Sequence, residues 1–496
     1  MKVPVSGNHY GNFYCDGQLL WYYGNGGTHL YNLKEQKDEL IAPGALMDVT
    51  ADAKKVCFFK GGNLYITQLP KGKVDFSNPV NLNDLTATIN YPQEWKNIYD
   101  EAWRNYRDGF YLKNMHGVDW NMIHDKYAAL LPWVKNRIDL TYVIGGMISE
   151  LACGHAYVDG GDHVQIDRQN IGMLGATLSR EGKAYKITKI YQGAPDRAQL
   201  RSPLAEPGLD VKVGDYITAV DGMPTDTVLN IYSMLRGKAG VLTELTVAAS
   251  ASGEGAHKVV VKPIQDEYQL AHYEWVQNNI KHVAEKTGGR VGYVYIPDMG
   301  PDGLNEFARY FFAQIDKEAL IVDDRYNGGG NISPMVIERL LRQPYRMTMF
   351  RGSSFNGTIP EQTLYGPKVL LINKYSASDG DLFPWSFKAN KIGKVVGTRT
   401  WGGIIGINGS LPYIDGTSIT TPFFTNYDAK TGQWIVENHG VDPDILIDND
   451  PVKEYNGEDQ QLDKAIEVVL DELKNYKPLP KTPAPRTLKD LGVTED

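Results

Sequence analysis

Residues 368–388 read KVLLINKYSASDGDLFPWSFK, an apolar run followed by a polar turn and then by a helix-forming segment. The apolar run at 368–373 predicts a buried strand, and the turn leads into a helix that opens near 384–388. A strand that leads directly into a helix is typical of an α/β layer. Ser378 lies on the turn, which exposes its hydroxyl beside the free N–H groups of a helix start. A nucleophile and oxyanion donors are two parts of a serine hydrolase site.

The role of Ser378 has alternatives. A serine followed by an aspartate is also common at helix starts, where the hydroxyl only caps the helix. Ser376, two residues earlier, is a second candidate nucleophile. We favour Ser378 because it abuts Asp379, Gly380 and Asp381, where the helix is expected to begin.

The chain around this stretch, residues 266–475, alternates strands with helices. Strands are predicted at 290–297 and 319–324, and helices at 304–315 and 462–473. Apolar strands with helical crossovers imply an α/β layer with a parallel component.

A run of three glycines, Gly328 to Gly330, follows the strand at 319–324. Glycines at a strand end let backbone N–H groups point at a ligand without interference from Cβ atoms. The run is either a flexible turn or part of an oxyanion hole beside Ser378. A phosphate-binding loop is disfavoured because the G-x-x-x-x-G-K-S/T motif is missing from the sequence.

A serine hydrolase also needs a base with a pKa near neutral, which is usually a histidine. The chain has ten histidines, and the residues alone do not favour His155 over His272 or His439. Glu437 lies in a loop rich in Gly, Pro and Asp, and it is a candidate for orienting such a base. The alternative for Glu437 is a solvated loop acid.

Residues 165–265 return to short strands, and the segment 207–222 reads PGLDVKVGDYITAVDG. This segment, with a helix expected at 228–235 and a closing strand near 245–248, resembles a PDZ domain. The resemblance implies a loop of backbone N–H groups that receives the terminal carboxylate of a peptide, which then adds as a strand to the sheet edge. The residues that match this loop are Gly172, Met173, Leu174 and Gly175.

Two further regions precede the PDZ-like segment. Residues 1–85 carry two aromatic strand pairs, at 18–33 and 55–67, joined by Gly-rich turns. Their spacing of about 35–40 residues is typical of propeller blades, although two such units cannot close a propeller. Residues 91–152 place apolar side chains at helical spacing and predict a small helical bundle.

Composition argues against several classes of protein. The 496 residues, 42% apolar and 22% charged, predict an ordinary globular protein of about three or more domains. The net charge of −9 argues against a nucleic-acid partner. No apolar run approaches about 18 residues, so no membrane partner is expected. Cys15, Cys57 and Cys153 have no C-x-x-C spacing, which suggests neither a zinc site nor a disulfide framework.

Four motifs together resemble the tricorn protease family, within the wider group that includes carboxyl-terminal processing peptidases. The likeness covers about residues 90–475, in the order helical segment, PDZ domain and α/β catalytic domain. The motifs are Gly154-His155-Ala156-Tyr157, Asp324-Arg325-Tyr326-Asn327-Gly328-Gly329-Gly330, Ser376-Ala377-Ser378-Asp379-Gly380-Asp381 and Val436-Glu437-Asn438-His439-Gly440-Val441.

The resemblance implies a serine peptidase that acts on peptides or oligopeptides without a metal or organic cofactor. Ser378 is the implied nucleophile, His155 the base and Glu437 the supporting acid. The implied oxyanion donors are the N–H of Asp379 and one N–H of Gly328–Gly329.

The sequence departs from the family at Gly154, where tricorn proteins typically have a serine that links the glutamate to the histidine. Glu437 then acts through a water, or another acceptor holds the tautomer of His155. The departure supports a rival hypothesis, a catalytically weak or inactive peptide-binding scaffold that uses the PDZ groove. A Ser–Lys mechanism is not favoured, because Lys391 and Lys394 follow soon after Ser378 and the next stretch, Trp401-Gly402-Gly403, contains no lysine. A metal-dependent hydrolase has no H-E-x-x-H motif to support it.

The predicted fold class is multidomain α+β, with a crotonase-like α/β catalytic domain. The expected parts are a propeller-like β segment, a helical subdomain with the catalytic histidine, a PDZ domain, the peptidase domain and a Pro-rich tail, at 1–88, 89–163, 164–265, 266–476 and 477–496. The family places β-propellers before this region, which predicts a chain cut from a longer protein. The resemblance also implies a homo-oligomer. We expect a cytoplasmic location, or a periplasmic one if a signal segment is missing.

Overall fold

The computed structural model divides into two compact units, Met1–Tyr91 and Pro92–Asp496. Each unit has its own apolar core. The residues that the structure describes are 10–194, 196–352, 357–410, 412–480 and 482–493.

The first unit contains two antiparallel sheets. Its strands are β1 (Tyr10–Cys15), β2 (Leu19–Gly24), β3 (Gly27–Asn32), β4 (Lys37–Ala42), β5 (Ala45–Val49), β6 (Lys55–Lys60) and β7 (Asn63–Gln68). Strands β1–β4 form a four-stranded sheet in sequence order, and β5–β7 form a three-stranded sheet. Gly61 and Gly62 have φ of 55° and 82°, as a two-residue hairpin turn requires. The predicted β-rich segment is confirmed, and Trp21 and Phe58 are buried in its core.

The second unit begins with the predicted helical bundle. Its elements are α1 (Tyr91–Gly109), α2 (Trp120–Ala128), α3 (Arg137–Ser149) and the short strand β8 (Val158–Asp159). Asp119 and Asn136 cap α2 and α3 with side-chain oxygens that accept N–H groups of the first turns. The bundle core also includes Ile419, and the hydroxyl of Tyr106 donates to the carbonyl of Thr420 at 2.8 Å. A distant part of the chain therefore completes this subdomain.

The PDZ region folds as an antiparallel sheet. Its strands are β9 (Ala176–Glu181), β10 (Ala184–Ile190), β11 (Tyr216–Val220), β12 (Met223–Pro224), β13 (Thr243–Ala248) and β14 (His257–Val261). The strand order is β14-β13-β11-β10-β9, with β12 paired to β11, so β9 lies at the edge of the sheet. Ile187, Ile217 and Leu245 are fully buried between the sheet and the segments that cover it.

The helix predicted at 228–235 is wrong, because the structure contains only a short 3-10 turn at Ile231–Ser233. The Asn230 side chain accepts the N–H of Tyr232 at 3.0 Å, and the Ser233 hydroxyl donates to the Asn230 carbonyl at 2.7 Å. Asn and Ser side chains that bond to nearby backbone compete with the helical hydrogen bonds.

The remaining part is the α/β layer. Its elements are α4 (Tyr268–Thr287), β15 (Val291–Tyr295), α5 (Pro301–Phe312), β16 (Ala319–Asp323), α6 (Ser333–Leu341), β17 (Arg346–Thr348), β18 (Gly357–Ile359), β19 (Lys368–Ile372), α7 (Asp379–Ala389), β20 (Gly393–Gly397), β21 (Gly406–Gly409), β22 (Ser418–Phe424), β23 (Ile445–Leu446), α8 (Pro451–Tyr455) and α9 (Gln460–Asn475). Strands β15-β16-β19-β20-β23 form one parallel sheet. The predicted α/β layer is confirmed.

Both faces of this sheet are buried, which explains its continuous apolar strands. Val322 and Leu370 pack with residues of α5, α6 and α7 on one face. Ile321 and Val369 pack with residues of α4 and α9 on the other. Because β16 and β19 are parallel neighbours, the loops that follow them emerge at the same edge of the sheet. That edge brings the glycine run close to the Ser378 turn.

Candidate active site

Ser378 occupies a strained turn between β19 and α7. Its backbone has φ 60° and ψ −120°, a region that residues with a side chain rarely adopt. Such strain persists only where the surroundings hold it, and a sharp strand-to-helix turn presents a serine hydroxyl to a cleft. The N–H of Ser378 donates to the Asp381 carboxylate at 2.9 Å. The turn is therefore fixed from within the first turn of α7.

Ser376 has a structural role. It is fully buried, and its hydroxyl donates to the carbonyl of Asp324 at 2.8 Å. The same oxygen accepts the N–H of Asn373 at 3.2 Å. Ser376 thus ties the end of β19 to the end of β16, and its hydroxyl is already used.

The glycine run passes directly beside the Ser378 turn. Gly329 has φ +87°, and a Cβ at this position would lie 2.4 Å from the Cβ of Ser378 and 3.0 Å from the backbone nitrogen of Asp379. Any side chain here would clash with the candidate nucleophile. The close approach of these two backbones therefore explains the glycine.

The three N–H groups predicted as oxyanion donors differ in whether they already have an acceptor within the chain. The N–H of Gly329 donates to the side-chain oxygen of Asn327 at 2.8 Å. The N–H of Gly328 makes a longer bond of 3.3 Å to the carbonyl of Pro297. Asp379 is the first residue of α7, where a helix provides no acceptor for its N–H. The geometry thus favours Asp379 and then Gly328 as donors, and Gly329 is the weaker candidate.

Residues 400–405, here called the bridging strip, connect the serine turn to the predicted acid. The N–H groups of Gly402 and Gly403 donate to the Asp381 carboxylate at 2.8 and 3.3 Å. At the other end, the N–H groups of Ile404 and Ile405 donate to Glu437 Oε2 at 2.7 and 3.1 Å. Sequence reasoning gave Asp381 no role and did not find the strip, although Gly402-Gly403 was a visible turn signal.

Glu437 also holds the segment that carries His155. Its Oε1 accepts the N–H of Gly154 at 3.2 Å, a contact between residues 283 positions apart. The flanking residues Val436 and Asn438 have φ of 67° and 60°, which is costly for a β-branched valine. The side-chain amide of Asn438 donates to the carbonyl of Ala152 at 2.7 Å. Glu437 is thus a half-buried carboxylate that accepts backbone N–H groups, and not a solvated loop acid.

His155 lies in an apolar environment beside the bridging strip. Its ring packs edge-on against Trp401 with the centroids 5.2 Å apart, and the N–H of Trp401 donates to the carbonyl of Ser376 at 3.0 Å. Burial lowers the pKa of His155, and the negative charge of Glu437 acts against that shift. A neutral imidazole at neutral pH is able to accept a proton.

The Nδ1 atom of His155 is buried and has no hydrogen-bond partner among the described residues. Glu437 bonds to backbone N–H groups around the ring and influences His155 through its charge. A serine in place of Gly154 would bring a hydroxyl into this region. The glycine at position 154 therefore leaves His155 Nδ1 without the hydroxyl that a serine would bring near it.

The other two candidate histidines have different surroundings. His439 is exposed, and its Nε2 lies 2.9 Å from the Asp442 carboxylate. His272, on α4, packs against the rings of Tyr268 and Trp275 of the same helix and against Tyr295 at the end of β15. Among the three, His155 is the one whose ring packs against the bridging strip.

Buried carboxyl groups lie beneath the serine turn. Burial raises the pKa of Asp381 to about 6, although four hydrogen-bond donors oppose the shift. Burial also raises the pKa of Asp379, whose carboxyl accepts the hydroxyl and N–H of Ser333. The pKa of the fully buried Asp324 lies well above its usual range. Asp381 holds the turn through the N–H of Ser378, and Asp379 joins the start of α7 to the start of α6 through Ser333.

Two kinds of feature, a metal-binding cluster and a membrane-spanning helix, were sought in the described part of the chain. No group of three or more His, Cys, Asp or Glu side chains there is arranged to hold a metal ion. None of the helices described combines the length and apolarity needed to span a membrane.

Three family models match the chain in the predicted domain order. The Tricorn protease C1 domain matches residues 91–149, the Tricorn protease PDZ domain matches 172–266, and Peptidase family S41 matches 290–447. Ser378 and Glu437 lie in the third match, and His155 lies between the first two.

Individual proteins match over most of the chain. Tricorn protease homolog 1 of Streptomyces coelicolor is 38% identical, over 90% of this chain and 42% of that protein. The Tricorn protease of Thermoplasma volcanium is 34% identical, over 90% of this chain and 43% of that protein. A crystal structure of the tricorn protease superposes with a TM-score of 0.85 at 31% identity, over 95% of this chain and 47% of that one. The chain thus spans less than half the length of these relatives.

Proposed function

Since the chain belongs to the tricorn protease family, we propose that it is a serine peptidase with Ser378 as its nucleophile. The observation that carries this proposal is the strained Ser378 turn, packed against Gly329 and placed at the start of α7. The match to Peptidase family S41 spans this turn. The alternative of an inactive scaffold has no support in these similarities.

In the proposed mechanism, Ser378 Oγ attacks the carbonyl carbon of a peptide bond as His155 takes the hydroxyl proton. The resulting oxyanion is stabilised by the N–H of Asp379, with the N–H of Gly328 as the second donor. Collapse of the intermediate breaks the C–N bond, and His155 returns the proton to the leaving amine. Water activated by His155 then hydrolyses the acyl-enzyme and regenerates Ser378.

Glu437 acts in this proposal as a positioning residue. Its carboxylate holds the N–H of Gly154, next to the base, and the bridging strip that packs on the base. Its charge favours the imidazolium that forms when His155 takes the proton. Peptides or oligopeptides are the proposed substrates. The homo-oligomer and the cytoplasmic location stay predictions.

The test compares Ser378→Ala with Ser386→Ala, a control on the same helix. We expect Ser378→Ala to lower kcat/KM for a fluorogenic peptide by about 10³-fold or more, because the covalent step is lost. Ser386→Ala should keep its activity, and both variants should keep the wild-type circular dichroism spectrum. Undiminished turnover by a folded Ser378→Ala protein would reject Ser378 as the nucleophile.

A further inference from the structure

The PDZ loop, residues 172–175, already holds a carboxylate of this same chain. Glu267 Oε1 accepts the N–H of Gly175 at 2.6 Å and the N–H of Ala176 at 3.0 Å. The N–H of Leu174 also faces this carboxylate. Short bonds from consecutive backbone N–H groups to one oxygen are the arrangement that a loop of this kind offers to an anion.

The other two donors of the loop are used as well. The N–H of Gly172 donates to the carbonyl of Leu235 at 2.8 Å, and the N–H of Met173 donates to the carbonyl of Ile264 at 2.7 Å. The N–H of Ile264 returns a bond of 2.9 Å to the carbonyl of Met173. Thus each of the four loop residues directs its N–H to a group of this chain.

The segment that fills the loop connects the PDZ sheet to the α/β layer. It runs from the end of β14 to the start of α4, and Glu267 is the residue that precedes the first turn of α4. Helix α4 belongs to the peptidase core, where Val276 and Val283 pack with strands of the parallel sheet. The same helix packs Leu270 against Leu200 of the PDZ region. Glu267 is therefore positioned to join the two parts.

Burial around Glu267 makes its hydrogen bonds necessary. Burial raises the pKa of Glu267, and the bonds from Ala176 and Gly175 act in the opposite direction. A half-buried carboxylate without such donors is energetically costly. If another carboxylate took these N–H groups, the side chain of Glu267 would have to move into solvent.

We propose that Glu267 closes the PDZ loop from inside and that the loop serves as an internal clamp to helix α4. A peptide with a free terminal carboxylate would compete with Glu267 for the same N–H groups. In the native protein the loop therefore does not select peptides by their C-terminus. This inference does not depend on the role of Ser378.

The first experiment measures hydrogen exchange by mass spectrometry in peptides that cover the loop. Glu267→Ala removes the acceptor, Glu267→Gln keeps one acceptor oxygen without the charge, and Glu285→Gln changes an exposed acid on the same helix. We expect exchange at the loop to accelerate about tenfold or more in Glu267→Ala, as the loss of charge-assisted bonds predicts. Glu267→Gln should lie between, and Glu285→Gln should match the wild type.

The second experiment needs no variant and so remains decisive if Glu267→Ala does not fold. The wild-type chain is screened against a random decapeptide library with free C-terminal carboxylates and against the same library as C-terminal amides. We expect no preference for the free carboxylates. Binding at least about tenfold tighter to the free-carboxylate library would overturn the proposal, as would unchanged exchange at the loop in a folded Glu267→Ala protein.

Discussion

Glu437 and Glu267 are two half-buried glutamates that hold backbone N–H groups of glycine-containing loops, with opposite consequences. Glu437 accepts N–H groups of the His155 segment and the bridging strip, away from the predicted oxyanion donor at Asp379. Glu267 accepts the N–H groups of the PDZ loop itself. Glu437 holds the backbone around the proposed base His155, whereas Glu267 occupies the PDZ loop itself.

The difference shows that a glycine-rich loop is defined by the acceptors of its N–H groups as much as by its sequence. The Ser378 turn and the PDZ loop both match motifs whose backbone N–H groups bind an anion. In the Ser378 turn, the position of Asp379 at the start of α7 leaves its N–H without an acceptor within the helix, and the proposed mechanism uses this N–H to bind the reacting oxygen. In the PDZ loop, the chain supplies the anion.

The strongest challenge to this contrast is a side chain at Gly329. Gly329→Ala places a Cβ 2.4 Å from that of Ser378, so we expect kcat/KM to fall by about 10²-fold or more as the turn shifts. Gly457→Ala is the matched control, because Gly457 has φ +89° with open space around it. Both variants should lose stability in urea by roughly 1–3 kcal/mol. Equal activity of the two variants would show that the approach of Gly329 to Ser378 is unimportant.

Removal of the Glu437 charge tests whether this carboxylate builds the site. Glu437→Gln retains the shape but weakens three backbone bonds, so kcat/KM should fall about tenfold or more. Glu458→Gln, at an exposed position, provides the control. Steady-state kinetics measures both. Wild-type activity in Glu437→Gln would remove Glu437 from the site.

The pH dependence of kcat/KM in the wild type and in Glu437→Gln reports on the proposed base, His155. His155 must be neutral to accept a proton, and burial lowers its pKa below 6.5. The acidic limb of kcat/KM should therefore have an apparent pKa below 6.5 in the wild type. Since the charge of Glu437 opposes the shift, Glu437→Gln should move the limb to still lower pH. A limb that moves upward would contradict the proposed coupling.

The smallest expected effect is a gain at Gly154. A Cβ there would lie 3.3 Å from a ring carbon of Trp401 and 3.4 Å from Gly403 Cα, so a small side chain needs only a slight shift. We expect Gly154→Ser to raise kcat/KM by about two- to fivefold, because a hydroxyl can partner His155 Nδ1. Gly154→Ala adds the same Cβ without the hydroxyl and should give no gain. Equal rates for the two variants would show that Nδ1 needs no partner.

Local patterns predicted the fold well. The parallel strands and the helices of the α/β layer follow from apolar runs and helical spacing, as β19 and α7 around Ser378 illustrate. The segment 228–235 failed because Asn230 and Ser233 form local hydrogen bonds that a spacing rule does not include. The contribution of Ile419 to the helical subdomain also escaped prediction, since it depends on tertiary packing.

The candidate site was predictable where a motif is local and unpredictable where a contact is distant. The strand–serine–helix pattern at Ser378 is visible in the sequence. The bond between Glu437 and Gly154 joins residues 283 positions apart, and only the family resemblance, not the local pattern, indicated that these positions lie close together. The roles of Asp381 and Glu267 were missed for the same reason. The N–H groups that donate to a carboxylate come from residues that only the folded chain brings near it.

The most direct test of the central claim is labelling with a fluorophosphonate probe, followed by mapping of the modified residue by mass spectrometry. Such probes react with activated serine nucleophiles. We predict one adduct per chain, on Ser378, and no adduct in Ser378→Ala. An unlabelled wild-type protein, or an adduct on another serine that persists in Ser378→Ala, would contradict the assignment of Ser378 as the nucleophile.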